Sequence, residues 1–230
     1  MKIEVLPDAD AVAQRAAEFI AAAATEAVAA RGVFAFAVSG GRTPWQMLRS
    51  LGALPMPWAG THLFQVDERV APSGDPDRNL THIAESLLSR ATLAPGHLHP
   101  MPVETPDLAA GAAHYAQELE RVAGTPAILD LVHLGLGPDG HTASLVPGDP
   151  ALAVANSAVA LTEAYQGHRR MTLTFPVLDR ARCVLWVVTG AEKVPMLTRL
   201  ASGDRTIPAG RVASERAVIL ADVAAAAGLR

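Results

Sequence analysis

The chain has 230 residues, of which 50% are hydrophobic and 18% are charged, and its formal net charge at pH 7 is −4. A chain this apolar can bury a sizeable core and does not have the composition of an intrinsically disordered protein. The acidic balance, with no basic block, argues against a nucleic-acid partner, and no apolar run has the length of a membrane span.

The N-terminal residues and the single cysteine indicate the compartment and the redox state of the protein. The opening residues carry acids and Pro7 rather than the apolar core of a signal peptide, so we expect a cytoplasmic protein. Cys183 is the single cysteine and lies within an apolar run, which predicts a buried structural thiol. We further expect one domain over residues 1–230, no membrane partner, and a monomer or weak homodimer.

The first predicted elements are a strand at 3–6, an Ala-rich helix at about 11–31, and a buried strand at 33–38. The run SGGRTP (39–44) then leads into a helix at 45–51. Thr43 suits the N-cap of that helix and Pro44 its first position. Exposed backbone N–H groups and the helix dipole at such a turn favour an anion, most often phosphate. The alternative is an ordinary strand-to-helix turn, and the run lacks the ending of a Walker loop.

A strand predicted at 61–66 is followed directly by Asp67, Glu68 and Arg69. Charged residues at the carboxyl end of a strand are either site residues or a solvated loop, and their position favours the site. After a loop at 71–77, a helix is predicted at 80–88. His97 and His99 share one face of a short strand, but no further ligand lies at metal-binding spacing, so an ordinary surface pair is favoured over a metal site.

A helix at 108–122 precedes the apolar run 128–134, which predicts a buried strand. A glycine-rich turn follows it and leaves Asp139 and His141 just past the strand end. Ligands bind outside the carboxyl ends of strands in open α/β sheets, so this pair is a candidate for proton transfer near neutral pH.

The same turn matches the dinucleotide-binding pattern GxGxxG over residues 135–140, with Glu163 as a potential ribose-binding acid. That fingerprint requires a helix to open at the turn. Pro138 inside the motif, and the prolines at 147 and 150, leave little room for such a helix. We therefore disfavour a dinucleotide site.

Further strands are predicted at 157–161, 170–175, 183–188 and 217–220, with a helical link at 176–181 and helices at 191–201 and 207–214. Lys193 lies in the first turn of a helix, where the dipole disfavours cations, so it either meets an anion or is solvated. Strands alternate with helices along the whole chain. This order predicts an α/β fold, with a mostly parallel sheet flanked by helices on both faces.

Five segments, taken in order, resemble the glucosamine-6-phosphate isomerase/6-phosphogluconolactonase superfamily over nearly the whole chain. They are SGGRTP (39–44), DER (67–69), GLGPDGHTAS (135–144), RMTLTFP (170–176) and VTGAEK (188–193). The resemblance implies a modified Rossmann-like fold. It also implies hydrolysis of 6-phospho-D-glucono-1,5-lactone to 6-phosphogluconate in the oxidative pentose phosphate pathway, without a metal or other cofactor.

Within the superfamily the lactonase branch is the better match. Deaminases continue the shared motif as DGHIAFNEP, with a Glu close after the His, and Val146 stands at that Glu in this chain. Two departures from the lactonase pattern put contacts at the rim of the sugar in question. Residues 78–80 read RNL rather than SNY, and residues 165–169 replace a Pro-rich stretch.

The resemblance assigns roles to individual residues. We expect His141 to be the base that activates water and Asp67 to orient it or balance its charge, since Asp139 is too close in sequence to be assumed as its partner. The expected phosphate-binding residues are Ser39, Gly40, Gly41, Arg42, Thr43, Arg78, Arg169 and Lys193. Supporting residues are Glu68, Arg69, Asp139 and Gly140. Two alternatives stay open: a covalent mechanism through Ser39 or Ser144, neither within GxSxG, and a non-catalytic sugar-phosphate sensor.

Overall fold

A seven-stranded parallel sheet forms the centre of the protein in a computed structural model, which describes residues 1–213 and 215–229. The strands are β1 (Lys2–Leu6), β2 (Phe34–Val38), β3 (Thr61–Gln65), β4 (Asp67–Arg69), β5 (Leu98–His99), β6 (Leu131–Leu134), β7 (Val159–Leu161), β8 (Arg170–Leu173), β9 (Val184–Val188) and β10 (Ala217–Asp222). The helices are α1 (Ala9–Arg31), α2 (Arg42–Leu51), α3 (Asn79–Ile83), α4 (Leu108–Ala123), α5 (Phe175–Arg180), α6 (Val194–Ala201) and α7 (Pro208–Arg211).

The order of strands in the large sheet is β1-β10-β9-β6-β2-β3-β5, and every pair in it is parallel. Every residue of β2, β6 and β9 is buried, as expected where helices cover both faces of a parallel sheet. In β2 the side chains alternate between two cores. Phe34 and Phe36 pack in the core that includes α1 and α2, whereas Ala35 and Ala37 face the core that includes α4, α5 and α6. The predicted α/β fold class is confirmed.

Helix α1 shows how the local sequence sets its ends. The Asp8 side chain accepts a hydrogen bond from the Ala11 N–H at 2.8 Å and caps the N-terminus. Gly32 ends the helix with φ of 75°, a left-handed conformation that glycine adopts without steric cost.

A second sheet, three-stranded and antiparallel in the order β4-β8-β7, was not predicted from the sequence. Residues 67–69 were expected only to follow a strand, but they form β4. The chain leaves the large sheet at Val66, whose carbonyl accepts from the Leu173 N–H at 2.8 Å, and Asp67 then pairs with Thr172. The partner strand is about a hundred residues away in sequence, so local patterns could not reveal the pairing.

Several predicted helices differ at their ends. The helix expected at 80–88 is α3 followed by a π-helical turn at Ala84–Leu88, and the one expected at 191–201 opens with a 3₁₀ turn at Ala191–Lys193. Only Pro208–Arg211 of the helix expected at 207–214 is helical, and Ser214 lies outside the described residues. Among the described helices, none combines the length and apolarity needed to cross a membrane.

The site is positioned by the contact between β2 and β6, whose register pairs Val38 with His133. After β2 the chain adds β3 and β5 on one side of it, and after β6 it adds β9 and β10 on the other side. The direction in which strands are added therefore reverses between β2 and β6. The turns that follow these two strands therefore lie side by side at the carboxyl edge of the sheet, where α/β proteins bind ligands.

Candidate active site

The turn after β2 leads directly into α2. The helix begins at Arg42, and its N-cap is Gly41, with φ of 131° and no side-chain capping bond. The prediction that Thr43 is the N-cap is therefore wrong. Its hydroxyl instead lies 2.6 Å from that of Thr189. The first N–H groups of a helix have no intrahelical acceptor, so this end of α2 can receive an anion.

Ser39 presents an unused hydroxyl at the same turn. Its side-chain oxygen is buried and has no hydrogen-bond partner among the described residues. Its N–H is already engaged, because it donates to Nδ1 of His133 at 3.3 Å. Burial lowers the pKa of His133 to about 3, so this imidazole is neutral near pH 7 and accepts that hydrogen bond.

The turn after β6 holds His141 against Asp139. Asp139 Oδ1 lies 2.5 Å from His141 Nδ1 and also accepts from the His141 backbone N–H at 3.1 Å. A β-carbon at Gly137 would lie 2.1 Å from His141 Nδ1, so only glycine leaves room for the ring in this position. Gly140 takes a φ of 83°, which lets the turn close.

Asp139 is held in its ionised form. Burial opposes ionisation, but hydrogen bonds from His141 and Tyr165, together with the charge of His141, outweigh burial and hold the pKa of Asp139 below its ordinary value. From the sequence, Asp67 rather than Asp139 was expected to orient the histidine or balance its charge. The structure places Asp139, not Asp67, in contact with the ring.

Asp67 faces the same cavity as His141 but has other partners. It is 5% exposed, and its Oδ2 accepts from the Ser144 hydroxyl at 2.7 Å. Asn79 Nδ2 donates to the Asp67 carbonyl at 2.9 Å. Ser144 is thus a buried donor to a carboxylate and, among the described residues, has no hydrogen bond to a histidine, which gives Ser144 no support as a nucleophile.

Two of the three arginines predicted to bind phosphate, Arg78 and Arg169, lie outside this cavity, whereas Arg42 lines it. Arg78 is 2% exposed and pairs with Glu68 at 3.1 Å and with Glu104 at 2.9 Å, so its charge is neutralised inside the protein. Arg169 is exposed and donates to the Thr162 carbonyl at 3.5 Å. Neither residue lines the cavity that contains His141.

Glu68 has a structural position rather than a place in the cavity. Fully buried, it accepts hydrogen bonds from the Asn79 N–H at 2.8 Å and the Leu80 N–H at 2.9 Å, at the start of α3. Gln65 Nε2 donates to the same carboxylate at 2.8 Å. Together with the Arg78 ion pair, these bonds fix the segment that places Asp67 and Asn79 at the site.

Arg170 is a buried arginine that lines the cavity together with Arg42 and Arg69, and its place in the site was not predicted from the sequence. It is 4% exposed, and its Nε has no hydrogen-bond partner among the described residues. Burial lowers the pKa of its guanidinium, and the charge of Asp67 opposes that effect. Arg170 lies opposite Arg69 in the β4–β8 ladder, and both line the cavity. Among the described residues neither arginine forms an ion pair with a carboxylate, and two such cations side by side favour an anionic ligand.

These residues enclose a cavity of about 550 Å³ at the carboxyl edge of the sheet. Its lining includes the side chains of Ser39, Asp67, Arg69, His141, Arg170 and Lys193. A neighbouring cavity of about 600 Å³ shares Gly40, Gly41, Arg42 and Lys193 with it and contains Thr43. Lys193 lies between the two, and its Nζ donates to the Leu136 carbonyl at 2.8 Å.

Two residues of the lining carry unusual backbone conformations. Ala143 has φ of 52° and Gln166 has φ of 51°, and among the described residues these are the non-glycine positions with positive φ. Such conformations concentrate at functional sites because the surrounding structure must hold them in place. No local sequence signal marks either position, since neither is Asn, Asp or Gly.

The structure does not support the two alternative sites that the sequence patterns suggested, a metal site at His97 and His99 and a dinucleotide site at the glycine-rich turn. His97 and His99 stack with His62, whose Nδ1 lies 3.0 Å from His99 Nε2. Within residues 1–213 and 215–229, no group of three or more His, Cys, Asp or Glu residues is arranged to hold a metal ion. The glycine-rich turn leads into an isolated bridge between Thr142 and Leu145 rather than a helix, so the dinucleotide motif lacks its required context.

Comparisons with known proteins place this site in a family. The model of the glucosamine-6-phosphate isomerases/6-phosphogluconolactonase family matches residues 7–220. A 6-phosphogluconolactonase of Mycobacterium tuberculosis is 35% identical over 241 aligned residues that cover 99% of this chain and 98% of that protein. The chain therefore belongs to the glucosamine-6-phosphate isomerase/6-phosphogluconolactonase family of enzymes.

Solved structures agree in fold. The crystal structure of 6-phosphogluconolactonase from Thermotoga maritima superposes with a TM-score of 0.85 at 28% identity, covering 96% of this chain and 98% of that one. A monomeric glucosamine-6-phosphate deaminase superposes with a TM-score of 0.86 at 18% identity, covering 99% and 100%. The second likeness shows the fold alone, so the choice between the family's reactions depends on site residues.

Proposed function

We propose that this chain hydrolyses 6-phospho-D-glucono-1,5-lactone to 6-phospho-D-gluconate, in the oxidative pentose phosphate pathway, by attack of a water molecule that His141 activates. The main support for the proposal is the His141–Asp139 pair, because His141 lines a cavity that several cationic side chains also line. Relatives named 6-phosphogluconolactonase match nearly the whole chain, which supports the lactone as substrate.

We assign the phosphate of the substrate to the turn after β2, where a helix N-terminus and cationic side chains supply positive charge. The N-terminus of α2, Arg42 and Lys193 supply the positive charge, and the Ser39 hydroxyl, which has no partner among the described residues, supplies a further donor. Backbone N–H groups and a helix dipole together suit a phosphate dianion. Anchoring the phosphate there holds the lactone ring in the cavity beside His141, which replaces a bimolecular encounter with an oriented one.

The tautomer of His141 determines which ring nitrogen can accept a proton. The Nδ1–H donates to the ionised Asp139 carboxylate, so Nε2 carries the free lone pair and can take a proton from water. The hydroxide attacks the lactone carbonyl, and the Asp139 charge stabilises the imidazolium that forms. The imidazolium returns its proton to the ring oxygen as the carbon–oxygen bond breaks.

The developing oxyanion needs a donor that is already in place. Arg170 has a buried Nε without a partner among the described residues and stands beside Arg69, so we assign oxyanion stabilisation to this pair. Asp67 balances their charge from the same side of the cavity. Lactone hydrolysis is also favoured over deamination because Val146, a buried aliphatic residue, stands where the deaminase motif has a Glu.

The test is a lactonase assay in which fresh 6-phosphogluconolactone is generated in place and spontaneous hydrolysis is subtracted. Glucosamine 6-phosphate is assayed in parallel for ammonia release. We expect rapid lactone hydrolysis and no deamination. For His141→Gln we expect a loss of about 10²–10⁴ in kcat, the usual contribution of a general base, with affinity for 6-phosphogluconate retained. Binding of sugar phosphates without turnover would instead favour a sensor, and an unaffected His141→Gln variant would refute the base.

A further inference from the structure

The connection between β7 and β8 forms a tight hairpin beside the catalytic pair. Tyr165 and His168 exchange backbone hydrogen bonds at 2.9 Å and 3.3 Å across Gln166 and Gly167. Both residues at the tip have positive φ, of 51° and 85°, which is the signature of a type I′ turn. His168 also contacts the Asp77 carboxylate at 3.1 Å, so the hairpin is fixed at its tip.

This hairpin places Tyr165 against Asp139, His141 and Arg170 together. The Tyr165 hydroxyl donates to Asp139 Oδ2 at 3.1 Å. Its ring meets the His141 imidazole edge-on, with centroids 5.5 Å apart and planes at 70°. The Arg170 guanidinium carbon lies 5.2 Å from the centroid of the same ring, within the range of a cation–π contact.

We propose that Tyr165 is a positioning residue that fixes the Asp139 carboxylate so that Asp139 holds His141 in its reactive orientation. This inference rests on the proposed function of His141 as the base. Both bonds from His141 fall on one carboxylate oxygen, Oδ1, and the Tyr165 bond falls on the other. The terminal torsion of an aspartate is soft, so bonds to Oδ1 alone leave the carboxylate plane free to turn. A donor on Oδ2 removes that freedom.

The hydroxyl also affects the charge that His141 meets. Burial and the charge of Asp139 raise the pKa of Tyr165, so the phenol stays protonated and remains a donor. A hydrogen bond to Oδ2 draws negative charge away from Oδ1. Removing it concentrates charge on the oxygen that faces the imidazole, which favours the imidazolium. The other charged groups that line the cavity, Asp67, Arg42, Arg69, Arg170 and Lys193, are unaltered by that change.

The test compares Tyr165→Phe with Tyr115→Phe, a matched pair because the chain has two tyrosines. The Tyr115 hydroxyl is buried and, among the described residues, bonds only to the backbone of Gln65, at 2.7 Å and 2.9 Å. We expect Tyr165→Phe to lower kcat about tenfold, as for loss of one hydrogen bond to a charged group, with KM nearly unchanged. The acidic limb of its pH–rate profile moves to higher pH. Tyr115→Phe keeps the parent kcat and pH profile.

A second measurement does not depend on turnover. In ¹⁵N-histidine NMR spectra, His141 is assigned by the signal that His141→Gln lacks, and its titration midpoint is compared between the parent and Tyr165→Phe. We expect a higher midpoint in the variant. If the parent protein had no lactonase activity, the proposed function would be refuted. The titration midpoint of His141 would still decide whether Tyr165 acts on Asp139. An unchanged midpoint, or parent-like kcat in Tyr165→Phe, would overturn the positioning role.

Discussion

Asp139 and His141 are two residues apart, and their side chains nevertheless meet, because the turn between them folds the chain back on itself. The Asp139 carboxylate accepts from the His141 backbone N–H at 3.1 Å and from the His141 ring. An aspartate that bonds the backbone two residues ahead forms an Asx-turn. The imidazole is therefore oriented by its own turn, and its position does not depend on a distant carboxylate.

Asp139→Asn should lower kcat on the order of 10², because the amide supplies neither the negative charge nor a reliable acceptor for Nδ1–H, and His141 loses its orientation. The acidic limb of the pH–rate profile should move to lower pH, opposite to the shift expected for Tyr165→Phe, since the imidazolium loses its counter-charge. Steady-state kinetics from pH 5 to 8 measure both effects. Asp107→Asn is the control, because Asp107 caps α4 away from the cavity and Asn caps equally well. Parent-like kinetics of Asp139→Asn would contradict the assignment.

Gly137→Ala should displace the His141 ring and reduce turnover while most of the fold persists. The added carbon would lie 2.1 Å from Nδ1, a separation that forces the imidazole to move. A misplacement of about 1 Å in a catalytic group can cost 10²-fold in rate. At Gly135, in the same turn, an added carbon would meet no atom within 4 Å, so Gly135→Ala should retain more activity. Equal activities in the two variants would show that His141 is not held by this contact.

Arg170→Met and Arg78→Met should separate catalysis from stability. Arg170 is buried and forms no ion pair among the described residues, so its removal should lower kcat/KM by about 10²–10³, as for loss of an oxyanion donor, and leave the free energy of unfolding little changed. Arg78 pairs with the fully buried Glu68, and stranding that charge should cost about 3–5 kcal/mol of stability. Denaturant unfolding and steady-state kinetics on both variants provide the comparison. If Arg78→Met were as stable as the parent but bound substrate more weakly, the result would support the prediction from the sequence that Arg78 binds the phosphate.

The adjacent residues Arg169 and Arg170 illustrate what could not be predicted from the sequence, namely which arginine is buried at the site. Arg169 directly precedes β8 and is exposed, whereas Arg170 is the first residue of β8 and is buried, so neighbouring positions in the sequence differ completely in burial. The face could be assigned only once β8 was seen to pair with β4, and that contact spans about a hundred residues. Arg78 was misplaced for a related reason, because its partner Glu104 comes from a distant loop.

Elements with a strong local signal were predicted well. The buried runs that form β2, β6 and β9, and the capped helix α1, depend on apolar patterns and terminal residues that are visible in the sequence. The glycine-rich turns were also located correctly, since they follow those strands. What the sequence could not show was which side chains converge across turns, as Tyr165 does on Asp139, because that depends on the tertiary packing of the β7–β8 hairpin.

Lys193→Met should weaken binding of the substrate phosphate more than it slows chemistry. Lys193 lies between the two cavities and is held by the Leu136 carbonyl at 2.8 Å, so its ammonium is fixed near the turn after β2. Loss of a charge-assisted bond to phosphate costs about 1.5–3 kcal/mol, which corresponds to a rise in KM of about ten- to a hundredfold. Calorimetric titration with 6-phosphogluconate checks the affinity directly. Arg199→Met is the control, because Arg199 pairs with Asp204 outside the cavity. A fall in kcat at unchanged KM would instead assign Lys193 to the chemical step.

Acid should destabilise the protein in part through His133. Burial lowers the pKa of this residue from 6.5 to about 3 in the folded state. Between those values the unfolded chain binds a proton that the folded protein does not, so stability falls as the pH decreases, by up to about 1.4 kcal/mol per pH unit for this one group.

His133→Asn removes that titration and keeps a side-chain acceptor near the Ser39 N–H. We expect the variant to be less stable than the parent at pH 7, because a well-packed ring is lost, and the difference in unfolding free energy to narrow as the pH falls from 7 to 5. Denaturant unfolding at several pH values measures this, with the exposed His114→Asn as control. Parallel curves for the parent and His133→Asn would mean that His133 is protonated in the folded protein, and the Ser39 N–H would then need another acceptor.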